Sequence, residues 1–124
     1  MAIKILHTAD FHMDSPFHSL PDEKAKIRRR EQRAMFQRIA AVCEEEEVQL
    51  LLLAGDLFDS NMAYQETVDT VAAVLSKIET EVFITPGNHD YLCLKSPYYK
   101  MELPDNVHIF ASPSIKCVEL PRIG

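Results

Sequence analysis

The sequence predicts an α/β fold, a mostly parallel sheet with covering helices. Three observations carry that prediction. Short apolar runs around residues 3–6, 50–54 and 82–84 read as strands. Segments of helical period lie between them. Each run stops abruptly at a cluster of Asp, Asn or His. Strand, helix, strand, helix, strand is the pattern of a parallel sheet covered by helices. Such sheets bind ligands outside the carboxyl ends of their strands, where all three polar clusters fall.

The elements follow in order. Ile3, Ile5 and Leu6 predict a first strand ending near His7-Thr8. Asp10 and His12 come next; if the backbone stays extended, residues two apart point to one side and converge. Met13 to Pro21 has no clear period. From Asp22 to Glu46 the pattern is helical, with Phe36, Ile39, Ala40 and Cys43 at i, i+3, i+4 and i+7. Lys24, Lys26, Arg28, Arg29, Arg30 and Arg33 crowd its first half and Glu44 to Glu47 its end, an order that opposes the helix dipole. This basic run reads as a solvated face or as a phosphate-facing patch. Leu50 to Ala54 is continuous enough to predict a central strand buried on both faces. A second amphipathic helix is expected from Tyr64 to Ile78, with Val68, Val71, Ala72, Leu75 and Ile78 on its stripe. Val82, Phe83 and Ile84 predict the third strand. Two more strands are expected at Val107–Ala111 and Ile115–Leu120, after a loop containing Pro97, Tyr98, Tyr99 and Pro104-Asp105-Asn106.

Composition sets limits. A chain of 124 residues, 47% hydrophobic and 26% charged, can build one domain with a real core. A net charge of −6 argues against nucleic-acid binding by bulk charge. A polyphosphate substrate stays open, because bound divalent ions invert the local field. Cys43, Cys93 and Cys117 are odd in number and form no CxxC pair, so neither a disulfide framework nor a zinc knuckle is expected. The N-terminus has no signal-peptide pattern and no run reaches the length of a membrane span. A cytoplasmic protein with reduced thiols, and no membrane partner, is the expectation.

The chemistry concentrates in the turn Thr85-Pro86-Gly87-Asn88-His89-Asp90. Pro86 favours an extended Thr85, and Gly87 is expected to permit the chain reversal. Asn88 offers a carbonyl oxygen to a hard cation; His89 offers an imidazole to a metal or to a leaving group. With Asp10, His12 and Asp56 this is a mixed oxygen and nitrogen set suited to Mn²⁺, and less exclusively to Fe²⁺ or Zn²⁺. Asp56, centrally placed, could bridge two ions clamping a phosphoryl group. Gly55 is expected to leave room beside them. Taken singly, each motif has a plainer reading: a loop detail for Asp10 and His12, a turn or cap for Asp56, a left-handed turn residue for Asn88.

Asp10-x-His12, Gly55-Asp56-x-x-Asp59 and Gly87-Asn88-His89-Asp90, in this order, resemble the calcineurin-like metallophosphoesterase superfamily. The resemblance covers essentially the whole chain and implies about half of that superfamily's four-layer αββα sandwich. It implies two divalent metal ions, Mn²⁺ foremost, and phosphoester hydrolysis. Asp10 and His12 would hold the first ion, Asp56 would bridge both, and Asn88 would hold the second. His89 would be the catalytic imidazole, with Asp59 and Asp90 orienting the ligands. Ser60-Asn61 and Asp90 depart from the protein phosphatases, which carry Arg-Gly and Glu there. The stretches from His7 to Phe17, Arg30 to Arg33 and Ala54 to Asp59 are similar to SbcD-type DNA repair exonucleases, most closely their YhaO-like branch. The implied substrate is DNA, cut as an exonuclease or endonuclease, and the implied partner is an SMC-like ATPase.

The superfamily pattern continues with a further His and a Gly-His-x-His motif, and downstream of His89 only His108 occurs here. Residues 1–124 are therefore expected to be the N-terminal portion of a nuclease domain, ending before the late His ligands and weakly active or inactive alone. His7 and His108 read as structural, and His18 as a loop residue with a possible substrate contact. Tyr98 and Tyr99 could stack on bases, although loop packing is the preferred reading. The competing functions are a small-substrate phosphatase or nucleotide phosphodiesterase, and a non-catalytic scaffold that keeps the fold. An unfinished sheet leaves an edge or apolar face open, so a homodimer is a further expectation.

Overall fold

A computed structural model describes residues 2–123. Its elements are β1 (Ile5–Thr8), α1 (Asp22–Glu45), β2 (Leu50–Ala54), α2 (Gln65–Lys77), β3 (Glu81–Thr85) and β4 (Val107–Ile109), with 3₁₀ turns at Pro97–Lys100 and Pro121–Ile123. The strands form one sheet of order β1-β2-β3-β4, parallel throughout. Leu6 pairs with Leu51, Leu51 with Val82, and Val82 with Val107.

Strand order follows chain order, so right-handed crossovers place both helices on one face of the sheet. Their mutual packing and the burial pattern agree with this. Leu51, Leu53, Val82 and Ile84 are fully buried beneath Phe36 and Cys43 of α1 and Val68, Val71 and Leu75 of α2. The alternate residues form the other face. There Ile5 is 55% exposed, and Leu52 and Phe83 are only partly covered. The expectation that β2 is buried on both faces is thus corrected: its burial alternates, because helices close one side only. On the open side Phe83 stacks on His108 at 4.6 Å and on Phe110 at 5.6 Å. His108 Nε2 lies 3.0 Å from the buried Glu81 carboxylate.

Helix α1 begins with Asp22 and Glu23, which suit the dipole, before the basic run starts. It ends in a Schellman motif: Val48 N–H donates to the Cys43 carbonyl (2.8 Å) and Glu47 N–H to that of Glu44 (3.2 Å). Glu47 takes the left-handed position, φ 53°, usually given to glycine. Of the basic run, Lys26 pairs with Glu23 and Arg28 with Glu31 on the surface. Arg33 turns inward to Asp14, Thr67 and Glu66.

The strand expected at Ile115–Leu120 does not form. Ile115 is fully exposed and Val118 largely so. With nothing to pair with or pack against, a run of mixed polarity between Pro113 and Pro121 stays irregular. The three cysteines are free: Cys43 buried, Cys93 partly buried, Cys117 exposed. No helix among the described residues is long and apolar enough to cross a membrane.

Candidate metal centre

The loops after β1 and β2 are fastened together by backbone. Asp10, His12 and Met13 N–H groups donate to the carbonyls of Gly55 (3.0 Å), Asp56 (2.9 Å) and Leu57 (2.9 Å), and Asp59 N–H donates back to Met13 (2.9 Å). Asp10 and His12 are not extended here. Both lie in the left-handed region, φ 59° and 49°, so their side chains converge through two strained turns and not through strand alternation. Non-glycine residues held there cost roughly 1–3 kcal/mol each and mark functional loops.

His12 Nε2 stands 3.9 Å from a carboxylate oxygen of Asp10 and 3.9 Å from one of Asp56. Donor atoms of these three residues all lie within 4.8 Å of one another. Among the described residues no Lys or Arg pairs with either carboxylate, so two negative charges meet without a cation. Hard oxygen donors, an imidazole and uncompensated negative charge fit a divalent metal ion.

The tautomer of His12 supports the same use. Its Nδ1 is 3.0 Å from the Asp59 carboxylate, an acceptor only, so Nδ1 carries the proton and donates it. The Nε2 lone pair is left facing Asp10 and Asp56. A carboxylate behind a histidine in this way fixes the ring and raises its basicity as a ligand.

Asp56 is the junction. It is buried, with φ 51°, and its second carboxylate oxygen accepts the His89 N–H at 2.9 Å. Gly55 (φ 83°) is the glycine in the left-handed region. Gly87 is not, and the expected roles of the two are exchanged. A Cβ on Gly87 would overlap Asp56 Oδ1 and lie 2.7 Å from the Asp56 backbone nitrogen. Gly87 therefore serves close approach to Asp56, not reversal.

Asn88 sits between two pinned amides, Gly87 N–H on Asp90 (2.6 Å) and His89 N–H on Asp56. Its exposed side chain has no hydrogen bond among the described residues, which leaves its carbonyl free. His89 lies edge-on to His12, ring centres 4.8 Å apart. Its Nδ1 donates to the backbone carbonyl of Asp59 at 3.1 Å, leaving Nε2 open.

Asp90 is fully buried and does not touch the imidazoles. It accepts from Gly87 N–H, Phe58 N–H (3.2 Å) and the Tyr98 hydroxyl, and so ties the loop after β3 to the loop after β2. Burial, then the Asp90 carboxylate, hold the Tyr98 phenol well above its ordinary pKa. Tyr98 thus packs inside the loop, against Phe58, while Tyr99 is exposed. His7 and His18 are exposed and join no cluster of metal-ligating side chains among the described residues.

Sequence reasoning missed two braces. Asp14 accepts from Tyr64 N–H (2.8 Å) and the Thr67 hydroxyl (2.7 Å), fastening the first loop to the start of α2. Gln32 of α1 donates to the carbonyls of Phe11 (3.1 Å) and His12 (3.0 Å). Neither stands out by periodicity, since both are polar residues in polar surroundings of sequence.

A carboxylate and imidazole cluster at the carboxyl ends of a parallel sheet defines an α/β domain built to hold divalent ions at its strand ends. Residues 3–122 match the calcineurin-like phosphoesterase family, and the chain belongs to it. It is 32% identical over 116 residues to the uncharacterized metallophosphoesterase YhaO of Bacillus subtilis, covering 89% of this chain and 28% of that protein. The SbcD component of nuclease SbcCD from the same organism is 23% identical over 128 residues, 98% of this chain and 31% of the relative. Its Escherichia coli counterpart is 29% identical over 91 residues, 71% of this chain and 21% of the relative. The chain spans less than a third of the length of these relatives.

Proposed function

We propose that this chain is the N-terminal part of a metal-dependent phosphodiesterase acting on DNA, an exonuclease or endonuclease of the SbcD type. The single observation that carries the reading is the convergence of Asp10, His12 and Asp56, from two strand ends, at a point without a balancing cation. Asp10 and His12 would hold one ion, Asp56 would reach two, and the free Asn88 carbonyl would serve the second. Two bound divalent ions, Mn²⁺ in this reading, would neutralise the phosphoryl oxygens and make a water acidic enough to attack.

The protein residues divide the remaining work. Asp59 holds the His12 ring through its carboxylate and the His89 ring through its backbone carbonyl. His89 Nε2, once protonated, can donate to the departing oxygen. Asp90 keeps the loop carrying Asn88 and His89 against the loop carrying Asp56 and Asp59.

The relatives named as parts of a nuclease support DNA as substrate, and the name SbcCD supports an ATPase partner of the SMC type. A cytoplasmic location belongs to the same reading. So does association of two copies through the apolar sheet face of Ile5, Leu52 and Phe83, which light scattering would show as a doubled mass. Residues 1–124 alone are proposed to bind metal weakly and turn over little, because the second ion is offered few ligands.

The test is a substrate panel on the full-length protein with Mn²⁺: single- and double-stranded DNA against p-nitrophenyl phosphate esters and cyclic nucleotides. Cleavage of DNA that is abolished in Asp56→Ala supports the reading. Turnover of the small esters alone would replace it with a small-substrate phosphatase, and no turnover of any substrate with a scaffold.

A further inference from the structure

We propose that Gln32, on helix α1, is a positioning residue for the metal ligand His12 and sets the affinity of the centre. The inference rests on the reading of Asp10, His12 and Asp56 as that centre.

The geometry is specific. The Phe11 carbonyl belongs to the peptide plane before His12, and the His12 carbonyl to the plane after it. One amide nitrogen, Gln32 Nε2, donates to both, at 3.1 and 3.0 Å. Both N–H bonds of the carboxamide are used, and both partners are acceptors only, which fixes which end of the amide faces the loop. The opposite side of the loop is fastened by His12 N–H to the Asp56 carbonyl. His12 is thus gripped from two directions, and its φ and ψ are fixed together.

That grip has something to hold against. His12 has φ 49° with a Cβ, and Asp10, two residues before it, has φ 59°. Left to itself the segment would relax toward extended backbone, and the His12 ring would swing away from Asp10 and Asp56. The clamp also carries a penalty. Gln32 Oε1 is buried without a hydrogen-bond partner, an arrangement that disfavours the fold. A residue chosen for packing or solubility would not keep that orphan. A residue needed for two N–H donors aimed at adjacent carbonyls would.

The clamp comes from a rigid element. Gln32 lies mid-helix in a helix of 24 residues, four positions before the buried Phe36, whose ring meets Phe11 edge-on at 5.7 Å. Helix α1 therefore fixes this loop twice, by an apolar contact at Phe11 and by the amide at the two carbonyls beside it.

The experiment is a Co²⁺ titration of the full-length metal-free protein, followed by calorimetry and by the visible absorption of the bound ion. Wild type is compared with Gln32→Met, which keeps length and loses both donors, and with Arg28→Ala, an exposed neighbour on the same helix. Gln32→Met is expected to bind Co²⁺ about tenfold to a hundredfold more weakly, with altered band intensities, while Arg28→Ala matches wild type. Unchanged affinity and spectrum in Gln32→Met overturn the proposal whatever happens to its melting temperature, since a purely structural role moves only the latter. Should Gln32→Met fail to fold, amide exchange in the wild type decides: both Gln32 side-chain protons must be protected, and rapid exchange overturns the clamp. Absence of Co²⁺ binding in wild type itself overturns the metal centre and the clamp together.

Discussion

The Asp59 carboxylate and Nδ1 of His12 lie 3.0 Å apart, and this contact decides which nitrogen of His12 is free. An acceptor at Nδ1 leaves the Nε2 lone pair directed at Asp10 and Asp56. The backbone carbonyl of the same Asp59 meets Nδ1 of His89 at 3.1 Å. One residue therefore sets the tautomers of both imidazoles, by chemically different groups.

That division is testable. Asp59→Asn removes the carboxylate behind His12 and keeps the backbone carbonyl behind His89. Metal affinity should fall about tenfold to a hundredfold, while the His89 ring keeps its Nδ1–H tautomer. Calorimetry gives the first quantity and nitrogen-15 chemical shifts of the imidazoles the second. Loss of the His89 tautomer in this variant would contradict the assignment.

Gly87→Ala should be worse than Gly55→Ala. A Cβ at Gly87 would meet both the side chain and the backbone nitrogen of Asp56, whereas one at Gly55 finds only an ordinary contact at 3.7 Å. The Gly55 substitution is penalised for its φ alone, about 1–2 kcal/mol. The Gly87 substitution must displace Asp56 and is expected to cost about 3 kcal/mol, at the upper end for overpacking, and to abolish metal binding. Urea unfolding of the two variants ranks them.

Tyr98→Phe deletes a hydroxyl that donates to the buried Asp90. A loss of about 1–3 kcal/mol is expected, the usual cost of taking a partner from a buried acceptor. The pH dependence has a definite sign. The phenol is protonated more strongly in the folded state than in the unfolded chain, so its contribution is complete below pH about 10 and is lost as pH rises above it. Stability measured from pH 8 to 11 should therefore fall more steeply in wild type than in Tyr98→Phe; parallel curves would contradict this.

Thiol chemistry separates the cysteines. Burial pushes the Cys43 thiol above its ordinary pKa, while Cys117 is exposed. A thiol reagent at neutral pH should modify Cys117 rapidly and Cys43 only on unfolding, as peptide mass mapping would record. Fast modification of Cys43 in the native protein would mean that α1 does not close over the sheet as described.

Much of the architecture was legible in the sequence, for physical reasons that can be named. Leu50 to Ala54 and Phe36, Ile39, Ala40 and Cys43 have the periods that burial imposes, and both fall in the expected elements. Ile115–Leu120 misled because an apolar run has no strand-forming power without a partner. The residues of the site were legible as types at strand ends, since carboxylates and imidazoles there are costly unless used. Their local geometry was not. Nothing in the order of residues shows that Asp10, His12 and Asp56 take left-handed backbone, or that Gly87 matters for space and Gly55 for φ. Gln32 and Tyr98 were hidden for a related reason: each acts through a contact across 20 or 8 residues of chain that only the folded loops create.

The measurement that bears most directly on the whole account is an anomalous difference map from crystals of the protein grown with Mn²⁺. A peak within bonding distance of Asp10, His12 Nε2 and Asp56 is the expected result. A crystal with Mn²⁺ bound elsewhere, and these three side chains without it, would contradict the account at its root.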